Sequence, residues 1–281
     1  MTLEYDIRGE GEPIIFVMGF AAQLIDWQDE FVDLFVDQGF QVIRFDNRDV
    51  GLSTQTDWTP PSQGKSIAAM VSRRPIKGVG YTVEDMAADG AGLLEALSIE
   101  SAHVVGMSMG GMIAQAMAIN HPSKVKSLCS VMSNTGDRKN GGIAFSLVRK
   151  YGRRPAPTIE NAVEESVFAN SLTAGDHFDE DELRERTKIS VARSFTPAGS
   201  ARQAAAIGGS ADRTARLRQL KVPTLVIHGL KDPLVKPSGG VATAAAVPGS
   251  RLLMFGDMGH DIPRPRWPEI AEAIVGNARR A

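Results

Sequence analysis

The segment "SAHVVGMSMGGMIAQAMAIN", Ser101 to Asn120, joins a short apolar run to an apolar pattern with helical spacing. One serine, Ser108, lies at the junction between small residues. In the pattern G-x-S-x-G between a strand and a helix, the two glycines leave room for a tight turn that presents the serine hydroxyl above the sheet. The first helical turn places unpaired N–H groups beside that hydroxyl. The segment therefore predicts a nucleophilic serine on a strand–helix turn.

Strand-like and helix-like patterns alternate through most of the remaining chain. Apolar runs bounded by turn residues predict further strands at "PIIFVMG", "QVIRFD", "KVKSLCSVM", "VPTLVIHG" and "SRLLMF". Strands separated by helices join through right-handed crossovers, which makes them parallel neighbours in one sheet. The sequence therefore predicts the α/β class, with a mostly parallel sheet flanked by helices.

This alternation stops between Met132 and about Arg213. The span is polar, charged and patterned for helices, and it contains no convincing strand. We therefore expect residues 1–132 and 214–281 to form the core, and residues 133–213 to form a helical cap inserted at the C-terminal edge of the sheet. A cap in that place is expected to roof the site and to set substrate preference.

Composition narrows the class of protein. Lys and Arg total 31 and Asp and Glu total 33, so a net charge of -2 offers no general attraction to nucleic acid or anionic lipid. The single cysteine, Cys129, cannot form an intramolecular disulfide, and this fits a reducing compartment. No signal-peptide pattern or long apolar run is present, so we expect a cytoplasmic protein without a membrane span. Phosphate-loop, Rossmann and zinc-helix motifs are also absent, so no cofactor or metal is expected.

A nucleophilic serine needs a base, and the chain has five histidines. His260 lies in the glycine-flanked loop "FGDMGHDIP" after the last predicted strand, where loops converge on the serine of an open α/β sheet. We therefore predict that His260 is the base. The other four histidines are expected to be structural or solvated: His103, His121, His177 and His228.

The base needs an acid that orients it. Asp232 follows the predicted strand "VPTLVIHG", and the chain order Ser108, Asp232, His260 is the order that this architecture uses. Asp232 is therefore the predicted acid. Three other aspartates remain as alternatives: Asp137 after the preceding strand, and Asp257 and Asp261 close to the base.

The oxyanion formed by an attacking serine needs two preorganised donors. The N–H of Met109, directly after the nucleophile, is one candidate, and the N–H of Phe20, after the strand "PIIFV", is the other. Phe20 is also expected to line the pocket. Methionine suits an adaptable apolar pocket, so Met109 and Met258 are predicted to line it as well.

These motifs together resemble the α/β-hydrolase superfamily, in the carboxylesterase and methylesterase group that includes aclacinomycin methylesterase and mycobacterial lipase/esterase-like proteins. The resemblance runs through "IIFVMGFAAQLIDW", "VIRFDNRDVGLST", "HVVGMSMGGMIAQ", "VPTLVIHGLKDPLV" and "MGHDIPRPRWPEI". It implies the same nucleophile, acid, base and oxyanion donors. Many relatives carry His-Gly where this chain has Met18-Gly19, and the sequence leaves open whether the superfamily's usual first strand is missing before "LEYDIRG".

The resulting expectation is a serine hydrolase that cleaves carboxylic esters of a small or medium apolar small-molecule substrate through an acyl-enzyme on Ser108. Two alternatives share the same residues: a cofactor-free haloperoxidase or perhydrolase, and a ligand receptor with very slow turnover. The fold alone does not choose among them. The sequence leaves the substrate and the oligomeric state open.

Overall fold

Seven strands form one sheet in the part of the chain that the computed structural model describes, residues 1–62, 75–151, 154 and 157–281. Their order is β1-β3-β2-β4-β5-β6-β7; β1 is antiparallel to β3, and all other neighbours are parallel. The strands are β1 Tyr5–Arg8, β2 Glu12–Val17, β3 Phe40–Phe45, β4 Ala102–Met107, β5 Val125–Val131, β6 Thr224–Gly229 and β7 Arg251–Phe255. The predicted mostly parallel sheet is confirmed.

Helices connect these strands and cover both faces of the sheet. Those of the described residues are α1 Asp29–Val36, α2 Val83–Ala96, α3 Met109–Asn120, α4 Phe145–Tyr151, α5 Ala162–Ser171, α6 Glu180–Arg193, α7 Pro197–Gly209, α8 Thr214–Leu217, α9 Ser238–Ala246 and α10 Trp267–Ala278. Among them, no helix combines the length and the apolar character that a membrane span requires.

Two apolar layers cover the central strands, and β2 supplies both. Ile14 and Phe16 pack with α1 and α10 on one face, whereas Ile15 and Val17 pack with α2 and α3 on the other. Successive strand residues point to opposite faces, so a continuous apolar run becomes a strand that is buried on both sides. Each of these fully buried side chains contributes about 1.5–3 kcal/mol of transfer free energy. The carboxyl ends of the strands are thereby held in one rigid edge, on which the site is built.

Between β5 and β6 the described residues form α4 to α8 and no strand. The helices α6 and α7 are tied to the core by buried charges. Arg193 donates to the Asp46 carboxylate at 2.7 Å, and Arg202 donates to the Asp49 carboxylate at 3.0 Å. Both carboxylates are fully buried, so losing either arginine would leave an uncompensated charge in the interior. The division into a core and a cap at residues 133–213 stays a prediction.

Candidate active site

Ser108 lies on the turn between β4 and α3 with φ at +56°. This positive-φ conformation costs a non-glycine residue about 1–3 kcal/mol, so the surrounding structure must maintain it. The Ser108 N–H donates to the Val131 carbonyl of the neighbouring strand at 2.8 Å. A Cβ at Gly106 would overlap the Gly110 carbonyl, and a Cβ at Gly110 would overlap the Val17 carbonyl. The two glycines of the motif are therefore needed because strand, turn and helix touch backbone to backbone.

The structure brings the three predicted catalytic side chains together. His260 Nε2 lies 2.9 Å from Ser108 Oγ, and His260 Nδ1 lies 2.7 Å from Asp232 Oδ2. The other carboxylate oxygen of Asp232 accepts the N–H groups of Leu234 at 2.8 Å and Val235 at 2.9 Å. One oxygen is thus held by its own loop and the other faces the imidazole, so the carboxylate orients His260.

Asp232 remains ionised in its buried position. Burial raises the pKa of this carboxyl, but hydrogen bonds from His228, His260 and the Val235 N–H outweigh burial, so its pKa lies below the ordinary value. His228 Nε2 donates to the Val235 carbonyl at 2.7 Å and lies 3.5 Å from Asp232 Oδ2. An ionised Asp232 favours the imidazole tautomer with its proton on Nδ1, which leaves Nε2 of His260 free to accept a proton.

The loop that carries His260 is bound by residues 173–176, between α5 and α6. The His260 N–H donates to the Thr173 carbonyl at 2.7 Å. Asp261 Oδ1 accepts the N–H groups of Gly175 at 2.8 Å and Gly259 at 3.0 Å. A Cβ at Gly175 would overlap the Asp257 carbonyl, so the two loops are in close backbone contact. We call these contacts the histidine-loop clasp. Burial raises the pKa of the Asp261 carboxyl despite its two backbone donors.

The alternative acids have other partners. Asp137 accepts the N–H groups of Lys139 and Asn140 in its own turn. Asp257 pairs with Arg266 at 2.9 Å and with His177 at 2.7 Å. Asp261 accepts the N–H groups of Gly175 and Gly259 within the histidine-loop clasp. The geometry therefore favours Asp232 as the partner of the base.

The predicted oxyanion donors lie on either side of the serine. Met109 is the first residue of α3, and Gly19, the neighbour of Phe20, approaches Ser108 so closely that a Cβ there would lie 3.3 Å from the serine Cβ. Within the described residues, neither the Phe20 N–H nor the Met109 N–H has a hydrogen-bond acceptor. Both N–H groups are therefore free to donate to an oxygen atom of a ligand bound at Ser108.

A cavity of about 1600 Å³ opens over Ser108 and His260. Its wall is largely apolar and comes from both the strand-edge loops and α4 to α7; it includes Phe20, Leu147, Leu183, Val191, Phe195, Leu234 and Ile262. Met109 and Met258 do not belong to this wall, contrary to the prediction from sequence. Both side chains are fully buried, Met109 in the core layer under α3 and Met258 in the opposite layer.

One cation in this wall lacks a close partner. Arg186 of α6 lines the cavity, and its buried Nε has no hydrogen-bond acceptor among the described residues. The nearest carboxylate oxygen, Asp26 Oδ1, lies 3.8 Å away. Burial raises the pKa of Asp26, which weakens it as a counter-ion. Arg186 thus contributes a cation to the cavity wall, and its guanidinium forms no hydrogen bond with the described residues.

Sequence patterns gave no signal for several residues around the site. Thr173 follows α5, Arg186 lies in α6 and Gln203 lies in α7; no local motif marks them, and their contacts with the site join residues distant in the chain. The Ala21 N–H, for example, donates to Gln203 Oε1 across 182 positions. The sequence pointed to Asp261 only as an alternative acid next to His260, and no pattern pointed to its partner Gly175.

Comparisons with known proteins agree with this architecture. The sequence profile of the α/β-hydrolase fold matches residues 12–263. Rhodomycin D methylesterase DnrP from Streptomyces peucetius is 27% identical over 290 residues, which span 96% of this chain and 91% of that protein. BpoC from Mycobacterium tuberculosis, which is named as a non-heme bromoperoxidase, is 27% identical over 92% of this chain and 91% of its own. A thermophilic esterase from Thermogutta terrifontis superimposes with a TM-score of 0.72 at 25% identity, over 99% of this chain and 93% of that one. The chain therefore belongs to the α/β-hydrolase fold family.

Proposed function

We propose that this protein is a serine hydrolase that cleaves carboxylic esters through an acyl-enzyme on Ser108. The observation that carries the proposal is the continuous set of contacts from Ser108 Oγ to His260 Nε2 at 2.9 Å and from His260 Nδ1 to Asp232 Oδ2 at 2.7 Å. A hydroxyl is a weak nucleophile until a base removes its proton, and the base needs a third group to orient it. The arrangement meets both requirements.

In the proposed reaction, Ser108 Oγ attacks the ester carbonyl carbon while His260 Nε2 takes the hydroxyl proton. The tetrahedral intermediate then collapses, and the imidazolium gives that proton to the departing alkoxide, so an alcohol leaves and an acyl-serine ester remains. Water repeats the sequence: His260 removes its proton, the acyl group leaves as a carboxylic acid, and the proton returns to Ser108. Asp232 stays ionised throughout and stabilises the imidazolium.

The negative charge that develops on the carbonyl oxygen needs fixed donors. The free N–H groups of Phe20 and Met109 are our candidates for this role, and the N-terminus of α3 adds the favourable end of a helix dipole. Removing one such donor from a serine hydrolase costs about 10²–10³ in kcat. We therefore assign the oxyanion hole to these two backbone groups.

The cavity supports an uncharged ester with an apolar body as substrate. Apolar surface predominates in its wall, which also includes carboxylates such as Asp26 and Glu165, and the polar groups of a pocket of this kind orient its ligand. Arg186 is proposed as one of them, binding a carbonyl or hydroxyl oxygen remote from the scissile bond. The methylesterase name of the relative from Streptomyces peucetius supports a methyl or other small alkyl ester at the reacting end.

The test is covalent labelling combined with an ester panel. Ser108 Oγ should attack the phosphorus of a fluorophosphonate and displace fluoride, and peptide mass spectrometry should find the phosphonyl adduct on that residue. Neutral methyl and p-nitrophenyl esters of graded acyl length should be hydrolysed by the wild type and by Ser130→Ala, a buried serine of β5 outside the site. Ser108→Ala should show neither labelling nor turnover. Labelling at another residue, or more than about a tenth of the wild-type rate in Ser108→Ala, would contradict the proposal.

A perhydrolase is the second candidate, favoured by the bromoperoxidase name of BpoC. In that reaction the acyl group of the same acyl-enzyme passes to hydrogen peroxide, which gives a peracid and restores Ser108. Adding peroxide to the ester panel separates the two functions. Peracid formation that far exceeds hydrolysis would favour the perhydrolase, whereas unchanged acid release would favour the esterase.

A further inference from the structure

The loop that carries the Phe20 N–H leaves β2, and three side chains from outside the loop form hydrogen bonds with its backbone. Asn47 Nδ2 donates to the Met18 carbonyl at 2.9 Å, at the start of the loop. Asp46 Oδ1 accepts the Leu24 N–H at 2.7 Å, at its end. Gln203 Oε1 accepts the Ala21 N–H at 2.9 Å, in the middle. Asn47 and Asp46 follow β3, whereas Gln203 belongs to α7.

Gln203 is itself held in one position. It is fully buried, and its amide Nε2 donates to the Arg48 carbonyl at 2.8 Å, so both ends of the amide have partners. Its neighbour Arg202 pairs with Asp49 at 3.0 Å. A Cβ at Gly199, one turn earlier, would overlap the Asp49 carbonyl, so α7 lies directly on the loop after β3. The acceptor offered to Ala21 is therefore rigid.

The middle of the loop needs such support, because Ala21 has φ at +58°. A non-glycine residue adopts this conformation at a cost, and it persists only where the surroundings enforce it. The Ala22 N–H donates to the Gly19 carbonyl at 3.4 Å, which closes a turn around Phe20 and Ala21. The Ala21 and Ala22 N–H groups are thus engaged, whereas the Phe20 N–H has no acceptor among the described residues.

We infer that Gln203 is a positioning residue for the oxyanion hole: by binding Ala21, it aims the Phe20 N–H at the carbonyl oxygen that Ser108 activates. This inference rests on the proposed function. The Gln203 side chain touches no reacting atom, so its effect passes through the strained Ala21 peptide. A misplacement of about 1 Å in such a donor can cost on the order of 10²-fold in rate.

The test replaces Gln203 with methionine, which has a similar length and neither amide group. We expect Gln203→Met to lower kcat by about 10- to 100-fold, with KM within about threefold of wild type. The affinity for a trifluoromethyl ketone, which forms a tetrahedral adduct with Ser108, should fall by a similar factor. Gln203→Glu keeps an acceptor for Ala21 and should recover part of this loss.

Gln115→Met is the matched control. Gln115 is also fully buried and has two polar partners, Ser130 Oγ at 3.0 Å and Arg213 Nε at 3.2 Å, but it does not contact the loop. The Gln115→Met variant should therefore be less stable than wild type and keep the wild-type kcat. Equal kcat and ketone affinity in Gln203→Met and Gln115→Met would overturn the inference. If Gln203→Met does not fold, Gln203→Asn, which is one methylene too short to reach Ala21, should be compared with Gln203→Glu; equal kcat in that pair would also overturn it.

Amide hydrogen exchange separates this inference from the proposed function. The Ala21 amide should exchange faster in Gln203→Met than in wild type and Gln115→Met, and this measurement needs no turnover. A wild-type protein that no fluorophosphonate labels would refute the proposed function. An unchanged Ala21 exchange rate in Gln203→Met would refute the positioning role whether or not the protein is a hydrolase.

Discussion

The turn that carries Ser108 and the loops that carry Phe20 and His260 are held in different ways. Ser108 is held by the sheet itself, through the Val131 carbonyl and the glycine contacts of β4 and α3. The other two loops depend on the segment between β5 and β6, through Gln203 and Thr173. The nucleophile is thus part of the core, whereas the oxyanion loop and the base are positioned partly by the inserted helices.

This difference changes what the insertion is expected to do. If residues 133–213 only shaped the cavity, replacing them would alter substrate preference and leave catalysis intact. Removing residues 133–213, however, would also leave the Ala21 and His260 N–H groups without their acceptors, and the buried carboxylates of Asp46 and Asp49 without their arginines. Each unsatisfied buried group costs about 1–3 kcal/mol, and more when it is charged. We therefore expect loss of activity, and not a new specificity, from such a deletion.

The largest effect on kcat is expected at Asp232, the acid that orients His260. Asp232→Asn should lower kcat by about 10⁴-fold, because an amide favours the wrong tautomer of His260. Ester hydrolysis by purified protein measures this. Asp137→Asn is the control, and it should keep kcat within about threefold because Asp137 binds only its own turn. A drop of similar size in Asp137→Asn would contradict the assignment of Asp232 as the acid.

Substitutions in the turn that carries Ser108 should mainly lower stability, because the sheet holds this turn rigidly. Gly106→Ala places a methyl group against the Gly110 carbonyl, and we expect it to lower the free energy of unfolding by at least about 3 kcal/mol. Gly92→Ala, on the exposed side of α2 with open space around its Cβ, should change it by less than about 1 kcal/mol, in the stabilising direction. Denaturant unfolding compares the two. Similar values would mean that the turn tolerates movement.

Substitutions in the histidine-loop clasp should mainly lower kcat. Gly175→Ala forces residues 173–176 away from the Asp257 carbonyl, so we expect about a tenfold lower kcat as His260 shifts, with a smaller loss of stability than Gly106→Ala. Gly142→Ala, also between β5 and β6 but with nothing near its Cβ, is the control. Unchanged kcat in Gly175→Ala would show that the clasp does not position the base.

The cavity wall should affect binding more than chemistry. Arg186→Met removes the unpaired donor, so KM for an ester that carries a remote carbonyl or hydroxyl should rise about five- to tenfold, with kcat unchanged. A matched ester without that oxygen should not respond. Arg184→Met is the control, because Arg184 of α6 does not line the cavity and pairs with Glu180 at 2.9 Å and with Glu164 of α5. An equal rise in KM for both esters would remove Arg186 from substrate recognition.

The smallest effect is expected at the exposed pair between His177 and the histidine loop. Hydrogen bonds from Arg266 and His177 lower the pKa of Asp257 to about 2. Because this pKa is depressed in the folded state, its contribution to stability is complete above the ordinary aspartate value of about 3.9 and is lost as the pH falls toward about 2. Asp257→Asn should therefore flatten the dependence of Tm on pH in that window. Asp181→Asn, an exposed aspartate of α6, should not.

The sequence by itself determined the parts of this protein that depend on local patterns. The strand–turn–helix around Ser108, the alternation of strands and helices, and the chain order of Ser108, Asp232 and His260 could all be predicted, because backbone sterics and burial periodicity act over a few residues. The loops of His260 and Asp232 followed from the rule that parallel strands present their carboxyl ends at one edge.

The tertiary structure decided which side chains surround the reacting atoms. Methionine composition pointed to Met109 and Met258 as pocket residues, but packing buried both in the core, because hydrophobicity does not say toward which face of a helix or loop a side chain turns. Thr173 and Gln203 reach the site across long stretches of chain, through single hydrogen bonds whose partners no local pattern marks. Such contacts depend on how α5, α6 and α7 settle on the sheet, and that docking is a property of the whole fold.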